Sequence, residues 1–155
     1  MVTLDNKDKK ILEIINNNAR LSVAEISRKT GIQRDSVLYR INKMKKQNVI
    51  RFFHTVIDPT VLNHPVYSFV NFVLYNLTEE KEKSFQRYLK SNPNVVYVAK
   101  TTGKWDVVIA IAARDLKQFD EIMTGIRMKF SKIIKEYDSS SIIQEYKYDN
   151  MTGLI

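Results

Sequence analysis

Three short segments near the amino end of the chain carry apolar residues at the spacing of amphipathic helices. In the third segment, Val37, Ile41 and Met44 recur at i, i+4 and i+7, which places them on one apolar stripe. The pattern predicts three helices, over residues 6–17, 23–30 and 34–47. Helices this short cannot each bury a stripe alone, so we expect them to pack together as one trihelical unit.

Residues suited to helix ends support this division. Asp5 is a good N-cap for the first helix, and Ser22 with Glu25 three residues later has the spacing of a capping box. Gly31 can adopt the left-handed conformation that ends the second helix. Two short helices joined by such a tight turn are typical of a helix-turn-helix.

The pattern changes over residues 49–57, VIRFFHTVI, which are rich in branched and aromatic side chains and predict a β-strand. Asp58-Pro59 ends the segment. After a helix-turn-helix, such a β ribbon is either a wing or a strand that pairs with a second subunit. We therefore place a helix-turn-helix domain with this β segment at residues 1–58 and a linker at 59–65, which holds two of the three prolines.

The second half of the chain alternates predicted strands and helices. Strands are predicted over residues 66–75, 95–101 and 107–113 and within 133–148, with helices that begin after Thr78 and Asp115. The order β-α-β-β-α-β predicts a ferredoxin-like domain at residues 66–148, with an antiparallel sheet and both helices on one face. The first strand is apolar on both faces, so we expect a second copy of the chain to cover the other face. The remaining residues, 149–155, are predicted to be a tail, and the fold class is α+β.

Most of the positive charge lies in one region. The formal net charge is +8, and residues 28–51 contain eight basic residues and one acidic residue, which is +7 of that total. We expect Ser36, Tyr39, Arg40, Lys43 and Gln47 on the side of the third helix opposite its apolar stripe. Such a basic face favours a polyanionic partner such as double-stranded DNA. The alternative is that the face is only solvated, as charged helix faces often are.

Several kinds of site are excluded or disfavoured by the composition. The chain has no cysteine, which excludes disulfides and cysteine-based metal or catalytic sites. It has no Gly-rich phosphate loop, metal-ligand spacing or catalytic constellation, so we expect neither an enzyme nor a cofactor or metal. The amino end lacks a signal-peptide core and no apolar run is long enough to span a bilayer. We therefore expect a cytoplasmic protein without a membrane partner.

Five stretches of the sequence, taken in order, carry a resemblance to a known family. They are LDNKDKKILEIINNNAR, LSVAEISRKTGI, SVLYRINKMKKQNVI, TVIDP and TTGKWDVV. Along nearly its whole length the chain resembles the Lrp/AsnC (feast/famine) transcription regulators. The resemblance implies a winged helix-turn-helix joined by a β linker to a βαββαβ effector domain. It also implies homodimers, often assembled into octamers, that bind promoter DNA in the major groove and respond to small molecules, commonly amino acids.

The resemblance further implies roles for residues at matching positions. The DNA-contacting residues would be Gln33, Arg34, Ser36, Tyr39, Arg40, Lys43 and Lys46. Arg40 matches the most regular arginine of the family, and the alternative for it is a salt bridge to an acidic residue on the first or second helix. Gln33 departs from the serine that family members usually have there, and glutamine is a poor helix cap.

For the effector, the resemblance implies a corner formed by Thr101, Thr102, Gly103, Trp105 and Asp106. A carboxylate such as Asp106 suits a ligand ammonium, while backbone N–H groups or threonine hydroxyls suit a ligand carboxylate. The alternative is that Gly103-x-x-Asp106 is only turn chemistry and that Trp105 packs between dimers. The effector itself is not identified by the sequence.

Three functions are compatible with these patterns. The leading hypothesis is a sequence-specific transcription regulator modulated by a small effector such as an amino acid. The second is an enzyme subunit similar to sirohaem decarboxylase, which resembles the same family and would need a polar catalytic or haem-facing group. The only histidines, His54 and His64, lie near the linker and have no neighbouring nucleophile or carboxylate cluster. The third is an architectural DNA-binding protein without an effector.

Overall fold

The computed structural model describes residues 2–155, which divide into two compact units. The chain up to Val56 forms the helical unit together with the carboxyl-terminal residues Tyr146–Ile155, and Ile57–Glu145 form the sheet unit. Each unit has its own buried apolar cluster, as an independently packed domain requires. No helix in the described part of the chain is long and apolar enough to cross a membrane.

The helical unit contains α1 (Asn6–Asn17), α2 (Val23–Thr30) and α3 (Arg34–Lys46). The three predicted helices are confirmed, and only the end of the third differs, by one residue. Their apolar stripes meet in one buried cluster, formed by Ile11, Ile15, Ile26, Ile32, Val37, Met44 and Ile50. Burying one such side chain stabilises a fold by about 1.5–3 kcal/mol. The shared cluster therefore holds the unit together, rather than the stability of any single helix.

The predicted helix caps all form in the helical unit. Asp5 accepts a hydrogen bond from the N–H of Asp8, and Asp8 accepts one from the N–H of Asp5, so α1 also begins with a capping box. Ser22 and Glu25 form the predicted capping box of α2. Gly31 has a φ of +72°, in the left-handed region where glycine has no steric cost. The capping box at Ser22 and the cap at Gly31 fix the two ends of α2 and therefore the turn that leads into α3.

The strand predicted over residues 49–57 is wrong for the single chain. Residues 51–58 form neither helix nor strand, and a 3₁₀ turn over Pro59–Leu62 follows them. A strand needs a neighbour that bonds its backbone, and no strand among residues 2–155 pairs with this segment. Phe52 and Phe53 remain exposed. The β ribbon expected for the winged fold is therefore not formed within one copy of the chain.

The sheet unit has the predicted element order. Its elements are β1 (Val66–Leu74), α4 (Glu79–Ser91), β2 (Val95–Lys100), β3 (Val107–Ala113), α5 (Leu116–Lys129) and β4 (Ile134–Ser141). The strands lie in the order β2-β3-β1-β4, and every neighbouring pair is antiparallel. Thr78 caps α4 and Asp115 caps α5, as predicted. The ferredoxin-like fold and the α+β class are confirmed.

Both helices of the sheet unit cover the same face of the sheet. The core between them includes Val70, Phe72, Phe85, Leu89, Ile109, Ile111, Met123 and Ile126. Alternate residues of the strands point to the opposite face. There Phe69 and Tyr97 both pair across the sheet with Ala110, so the two aromatic side chains lie on either side of it. Phe69 and Tyr97 are exposed, and the opposite face is therefore apolar and uncovered in the single chain.

The carboxyl-terminal residues do not form the expected separate tail. The last strand ends at Ser141, well before the predicted domain end at residue 148. Residues Tyr146–Ile155 belong to the helical unit, where the Asn16 side-chain amide donates to Asn150 Oδ1 at 3.2 Å and to Thr152 Oγ1 at 2.9 Å. These bonds join positions more than 130 residues apart in the chain. Local sequence patterns contain no signal for them.

Candidate DNA interface and effector hairpin

One side of α3 presents a row of polar and basic side chains. Ser36, Tyr39, Lys43 and Lys46 recur at i, i+3, i+7 and i+10, which places them on one helix face. Tyr39 is 67 % exposed and Lys46 is exposed, while Ser36 and Lys43 are half-buried at the edge of the row. We call these four residues the outer face of α3. The structure thus brings together four of the seven residues predicted to contact DNA.

Two further predicted residues lie at the start of the same helix. Gln33 is the N-cap residue of α3, its side chain makes no capping hydrogen bond, and it is exposed together with Arg34. The first-turn N–H groups of α3 therefore have no side-chain acceptor from the cap. Within the described residues, neither Arg34 nor the two lysines of the outer face forms an ion pair. The positive charge of this surface is not neutralised by the protein itself.

The turn before α3 is held by hydrogen bonds that sequence reasoning missed. The Ser27 hydroxyl donates to the carbonyl of Ile32 at 2.6 Å, and the Thr30 hydroxyl donates to the carbonyl of Ile26 at 2.8 Å. Ile32 also donates its N–H to Thr30 Oγ1 at 3.2 Å. Hydroxyl residues at the end of a helix commonly bond nearby backbone groups in this way, which was the available signal. The turn sets the direction in which α3 leaves α2.

Arg40 lies beside the buried stripe of α3 and not on the outer face, and its predicted contact with DNA stays a prediction. Its Nη1 atom lies 2.7 Å from Asp5 Oδ2 and 2.7 Å from Asp8 Oδ1. Its side chain is only 18 % exposed. Arg40 is three residues after Val37 and four before Met44, both fully buried, so it shares their side of the helix. The structure therefore shows the salt bridge to helix α1 that the sequence left as the alternative.

These bonds perturb the titration of the groups that make them. The N–H of Asp8 and then the guanidinium of Arg40 hold the pKa of Asp5 below its ordinary value of 3.8, because both stabilise the carboxylate. Hydrogen bonds to Asp5 and then to Asp8 raise the pKa of Arg40. Around neutral pH Asp5 and Arg40 are therefore both fully charged.

The residues predicted to bind an effector lie together on the hairpin between β2 and β3. Gly103 has a φ of +99°, which favours glycine at the turn. Thr101 donates its N–H to the carbonyl of Asp106 at 2.9 Å and its hydroxyl to the carbonyl of Trp105 at 2.6 Å. Thr102 is exposed. The hairpin residues therefore make the hydrogen bonds of an ordinary turn, which was the alternative to a ligand site.

Asp106 also has a partner outside the hairpin. Its Oδ2 atom accepts a hydrogen bond of 2.7 Å from the N–H of Leu74, at the end of β1. Its own N–H donates to the carbonyl of Phe72 at 2.8 Å. No hydrogen bond to Oδ1 is present among the described residues, so one carboxylate oxygen stays available. Leu74 is 32 residues away in sequence, which explains why local patterns did not identify this contact.

Two lysines beside the hairpin are paired rather than simply solvated. Lys104 lies with its Nζ 4.2 Å from the centre of the Trp105 ring and 3.3 Å from a Glu136 carboxylate oxygen. Lys100 Nζ lies 2.8 Å from Glu82, and this carboxylate raises the pKa of Lys100. These contacts connect the hairpin with α4 and β4. The surroundings of the hairpin therefore differ from the unpaired cations of α3.

A cleft of about 550 Å³ opens between α5 and β4 in the sheet unit. It is lined by Thr124, Arg127, Met128, Ser131, Ile134, Lys135, Glu136 and Tyr137. None of the five residues predicted to bind an effector contributes to this lining. The hairpin and the cleft are thus separate features of the sheet unit.

The two histidines have local structural contacts. The His54 ring lies 5.3 Å from the Phe52 ring and 6.5 Å from the Tyr148 ring, measured between ring centres. His64 Nδ1 lies 2.6 Å from the carbonyl oxygen of Leu62. Among residues 2–155, no group of histidine and acidic side chains is arranged to hold a metal ion.

Two family models match the chain, one in each half. The model described as winged helix-turn-helix DNA-binding matches residues 4–51, and the Lrp/AsnC ligand binding domain matches residues 68–152. The second match covers more than half of the chain. The two matches leave out the segment that contains the 3₁₀ turn.

Curated relatives and solved structures agree with these matches. The HTH-type transcriptional regulator FL11 of Pyrococcus horikoshii is 32 % identical over 122 residues, 79 % of each chain. The structure of an AsnC family transcriptional regulator from Agrobacterium tumefaciens has a TM-score of 0.81 at 27 % identity, covering 94 % of each chain. A transcriptional regulator from Neisseria meningitidis, solved in complex with L-Met, has a TM-score of 0.86 at 20 % identity, covering 99 % of this chain and all of that one. This last likeness shows the fold alone. With a helix-turn-helix whose outer face is basic, a ferredoxin-like second unit and a family match to each, the chain belongs to the Lrp/AsnC family of DNA-binding transcription regulators.

Proposed function

We propose that the protein recognises specific promoter sequences by inserting α3 into the major groove of double-stranded DNA. The contacts would come from the outer face of α3, with Gln33 and Arg34 at its amino end. The observation that carries the proposal is the unpaired positive charge of this surface beside an uncapped helix start. Cationic side chains and exposed helix N–H groups are the donors that DNA phosphates accept.

Different residues of this surface suit different contacts. Gln33, Ser36 and Tyr39 carry amide or hydroxyl groups, which suit hydrogen bonds to base edges or phosphates. Lys43 and Lys46 lie further along the helix and suit phosphate oxygens. Asp35 is the only acidic residue of α3 and would face a partner of like charge. We therefore expect sequence preference to depend on the first turns of α3 and affinity to depend on the lysines.

We further propose that the protein acts as a homodimer. Two apolar surfaces support this, namely the uncovered sheet face around Phe69 and Tyr97 and the unpaired segment at residues 51–57. Apolar surfaces of this kind mark interfaces in soluble proteins. A second copy would supply the strand neighbour that residues 51–57 lack. Two copies would present two outer faces to two half-sites, as symmetric helix-turn-helix proteins do.

An amino acid is our candidate effector. The second unit matches a ligand-binding domain, and a regulator of similar fold was solved with L-Met. In the hairpin, the available Oδ1 of Asp106 suits a ligand ammonium, and the exposed Thr102 suits a ligand carboxylate. We place the site at the hairpin residues Thr101, Thr102, Gly103, Trp105 and Asp106.

The DNA-binding proposal is tested with two variants of equal charge. Replacing Lys43 and Lys46 by alanine should weaken duplex binding and reduce the slope of log K against log salt by about 1.8, since each phosphate contact contributes about 0.9. The control replaces Lys90 and Lys117, two exposed lysines of the sheet unit, and lowers the net charge of +8 by the same two units. Fluorescence anisotropy with a labelled duplex over a salt series measures the affinity and the slope for each variant.

The control decides between a located interface and bulk charge. We expect the sheet-unit variant to keep the wild-type slope. Equal losses in both variants would contradict an interface on α3, as would wild-type protein that ignores duplex DNA in dilute buffer.

The effector proposal is tested by thermal shift against the twenty amino acids. A ligand that binds only the folded protein raises its melting temperature, by an amount that grows with concentration. Trp105 is the single tryptophan and lies in the hairpin, so its fluorescence reports this site directly. A shift that Asp106→Asn abolishes would support the site. No shift with any amino acid would favour an architectural DNA-binding protein.

A further inference from the structure

We propose that Asp5 and Asp8 orient the recognition helix α3 through Arg40, and that Arg40 is a positioning residue which does not touch DNA. We call Asp5, Asp8 and Arg40 the α1–α3 clamp. The inference rests on the DNA-binding function proposed above and goes beyond it by assigning a function to two acidic residues on α1.

The clamp is built so that each carboxylate bonds in two directions. Asp5 uses Oδ1 to cap α1, accepting from the N–H of Asp8 at 2.9 Å, and Oδ2 to accept from Arg40. Asp8 uses Oδ2 to accept from the N–H of Asp5 at 3.3 Å, and Oδ1 to accept from Arg40. The capping box therefore fixes both carboxylates through bonds that do not involve Arg40. The guanidinium is tied to the backbone of α1 through two fixed acceptors.

Of the five N–H donors of the Arg40 side chain, three bond groups within the protein. Two bonds from Nη1 go to the two carboxylates, which uses both of its N–H groups. Nε donates to Ser36 Oγ at 3.4 Å, one turn earlier on α3. Asp8 is 1 % exposed. A cation with two bound carboxylates contributes no net positive charge to the surface, so Arg40 adds nothing to the attraction of DNA.

Directional bonds of this kind determine how α3 is rotated about its axis. The apolar contacts of Val37 and Met44 are non-directional and tolerate small rotations. The clamp does not tolerate such rotations, because charge-assisted hydrogen bonds depend on distance and angle. Ser36 connects the clamp to the outer face of α3. The rotation that the clamp sets is therefore the one that presents the outer face to the groove.

The decisive variant is Asp8→Asn, since charge and positioning predict opposite results for it. Removing an acidic group raises the net charge by one, which by electrostatics alone strengthens binding to any duplex. If Asp8 positions α3, affinity for the preferred sequence falls about tenfold, the cost of one lost base contact. Affinity for a random duplex of equal length stays the same or rises. The preferred duplex is obtained by selecting bound genomic fragments with the wild-type protein.

Asp35→Asn is the matched control. It removes the same charge from the exposed start of α3 and leaves the clamp intact. We expect Asp35→Asn to bind both duplexes at least as tightly as wild type. A milder second variant, Asp5→Asn, keeps a good N-cap residue while weakening the clamp. It covers the case in which Asp8→Asn fails to fold, as judged by circular dichroism, and we expect a smaller loss in the same direction.

Arg40→Gln separates positioning from DNA contact. A positioning role leaves the salt slope unchanged and lowers the ratio of specific to random affinity, as Asp8→Asn does. A slope reduced by about 0.9 would show a phosphate contact and overturn the inference. An unchanged affinity ratio in both Asp8→Asn and Asp5→Asn would overturn it too, while leaving the proposed function intact. Wild-type protein that binds no duplex would instead remove the proposed function itself.

Discussion

Arg40 in the helical unit and Asp106 in the sheet unit are both charged residues to which the family resemblance gives a partner outside the chain. Both turn out to be bonded within the protein, but to different kinds of group. Arg40 bonds two carboxylates, so its charge is more than neutralised. Asp106 bonds the neutral N–H of Leu74, which brings no counter-charge, and its Oδ1 atom has no hydrogen bond among the described residues. This difference is the reason we propose a positioning role for Arg40 and a ligand contact for Asp106.

The surroundings of the two residues show the reverse distribution of charge. The cations near Arg40 on the outer face of α3 have no acidic partner among the described residues, whereas Lys100 and Lys104 near Asp106 are paired with Glu82 and Glu136. The helical unit thus pairs Arg40 with two acidic residues and leaves the lysines of the outer face unpaired among the described residues. Beside the hairpin, the sheet unit pairs two lysines with acidic residues and leaves one oxygen of the Asp106 carboxylate without a hydrogen bond, which suits the small zwitterion proposed as the effector.

The largest effect is expected when the clamp loses its cation. Arg40→Met leaves the nearly inaccessible Asp8 carboxylate without a counter-charge. Removing one partner of a buried pair costs about 3–5 kcal/mol, and we expect the free energy of unfolding of the helical unit to fall by an amount in this range. Amide hydrogen exchange measures it separately in α1 and α3. The control Lys43→Met removes an unpaired cation from the same helix and should change protection little.

A double substitution sharpens this result. Adding Asp8→Asn to Arg40→Met removes the stranded charge and should recover part of the loss, because the two sites are coupled. Strictly additive effects of the two substitutions would show that Arg40 and Asp8 do not interact.

A smaller effect is expected at Asp106. Asp106→Ala leaves the N–H of Leu74 without its acceptor, at a cost of about 1–3 kcal/mol to the sheet unit. Asp106→Asn keeps an acceptor oxygen and should cost less while still removing the charge. Urea unfolding followed by Trp105 fluorescence reports this unit. Equal stability of the alanine variant and wild type would mean that the bond to Leu74 does not matter.

The helix caps and Arg40 show how far the structure could be predicted from the sequence. The caps at Asp5, Ser22 and Gly31 involve neighbours within a few residues, so local patterns predicted them. Arg40 satisfies two helical periodicities at once, one with the outer face and one with Val37 and Met44, and only packing decides between them.

The remaining differences depend on contacts distant in the chain or between chains. Residues 51–57 have the composition of a strand, but the neighbour that a strand needs is absent from a single chain. The bond between Asn16 and Thr152 joins the two ends of the chain. Neither could be predicted from local spacing, because the partner is not local.

A still smaller effect is expected in the dependence of stability on pH in the acid range. The pKa of Asp5 is lowered in the folded protein, by the N–H of Asp8 first and Arg40 second. A lowered pKa means that the contribution is complete above the unfolded value near 3.8 and is lost as pH falls through the folded value below it. Thermal unfolding measured between pH 6 and about pH 2.5 should therefore show a loss concentrated below pH 4. In Asp5→Asn this part of the loss should disappear, whereas the part from Glu25, whose pKa Ser22 also lowers, should remain.

The smallest expected effect is a gain in stability at Gln33. Gln33 occupies the N-cap of α3 without capping it, so Gln33→Ser should supply the missing acceptor and stabilise the helical unit by about 0.5–1 kcal/mol. Unlike Arg40, the Gln33 side chain makes no hydrogen bond to the described residues that the substitution would break. If Gln33 contacts a base, the variant should be more stable in hydrogen exchange and yet bind the preferred duplex less tightly, with random-duplex affinity unchanged. A variant that is more stable and equally specific would mean that only the outer face of α3, and not its amino end, discriminates between sequences.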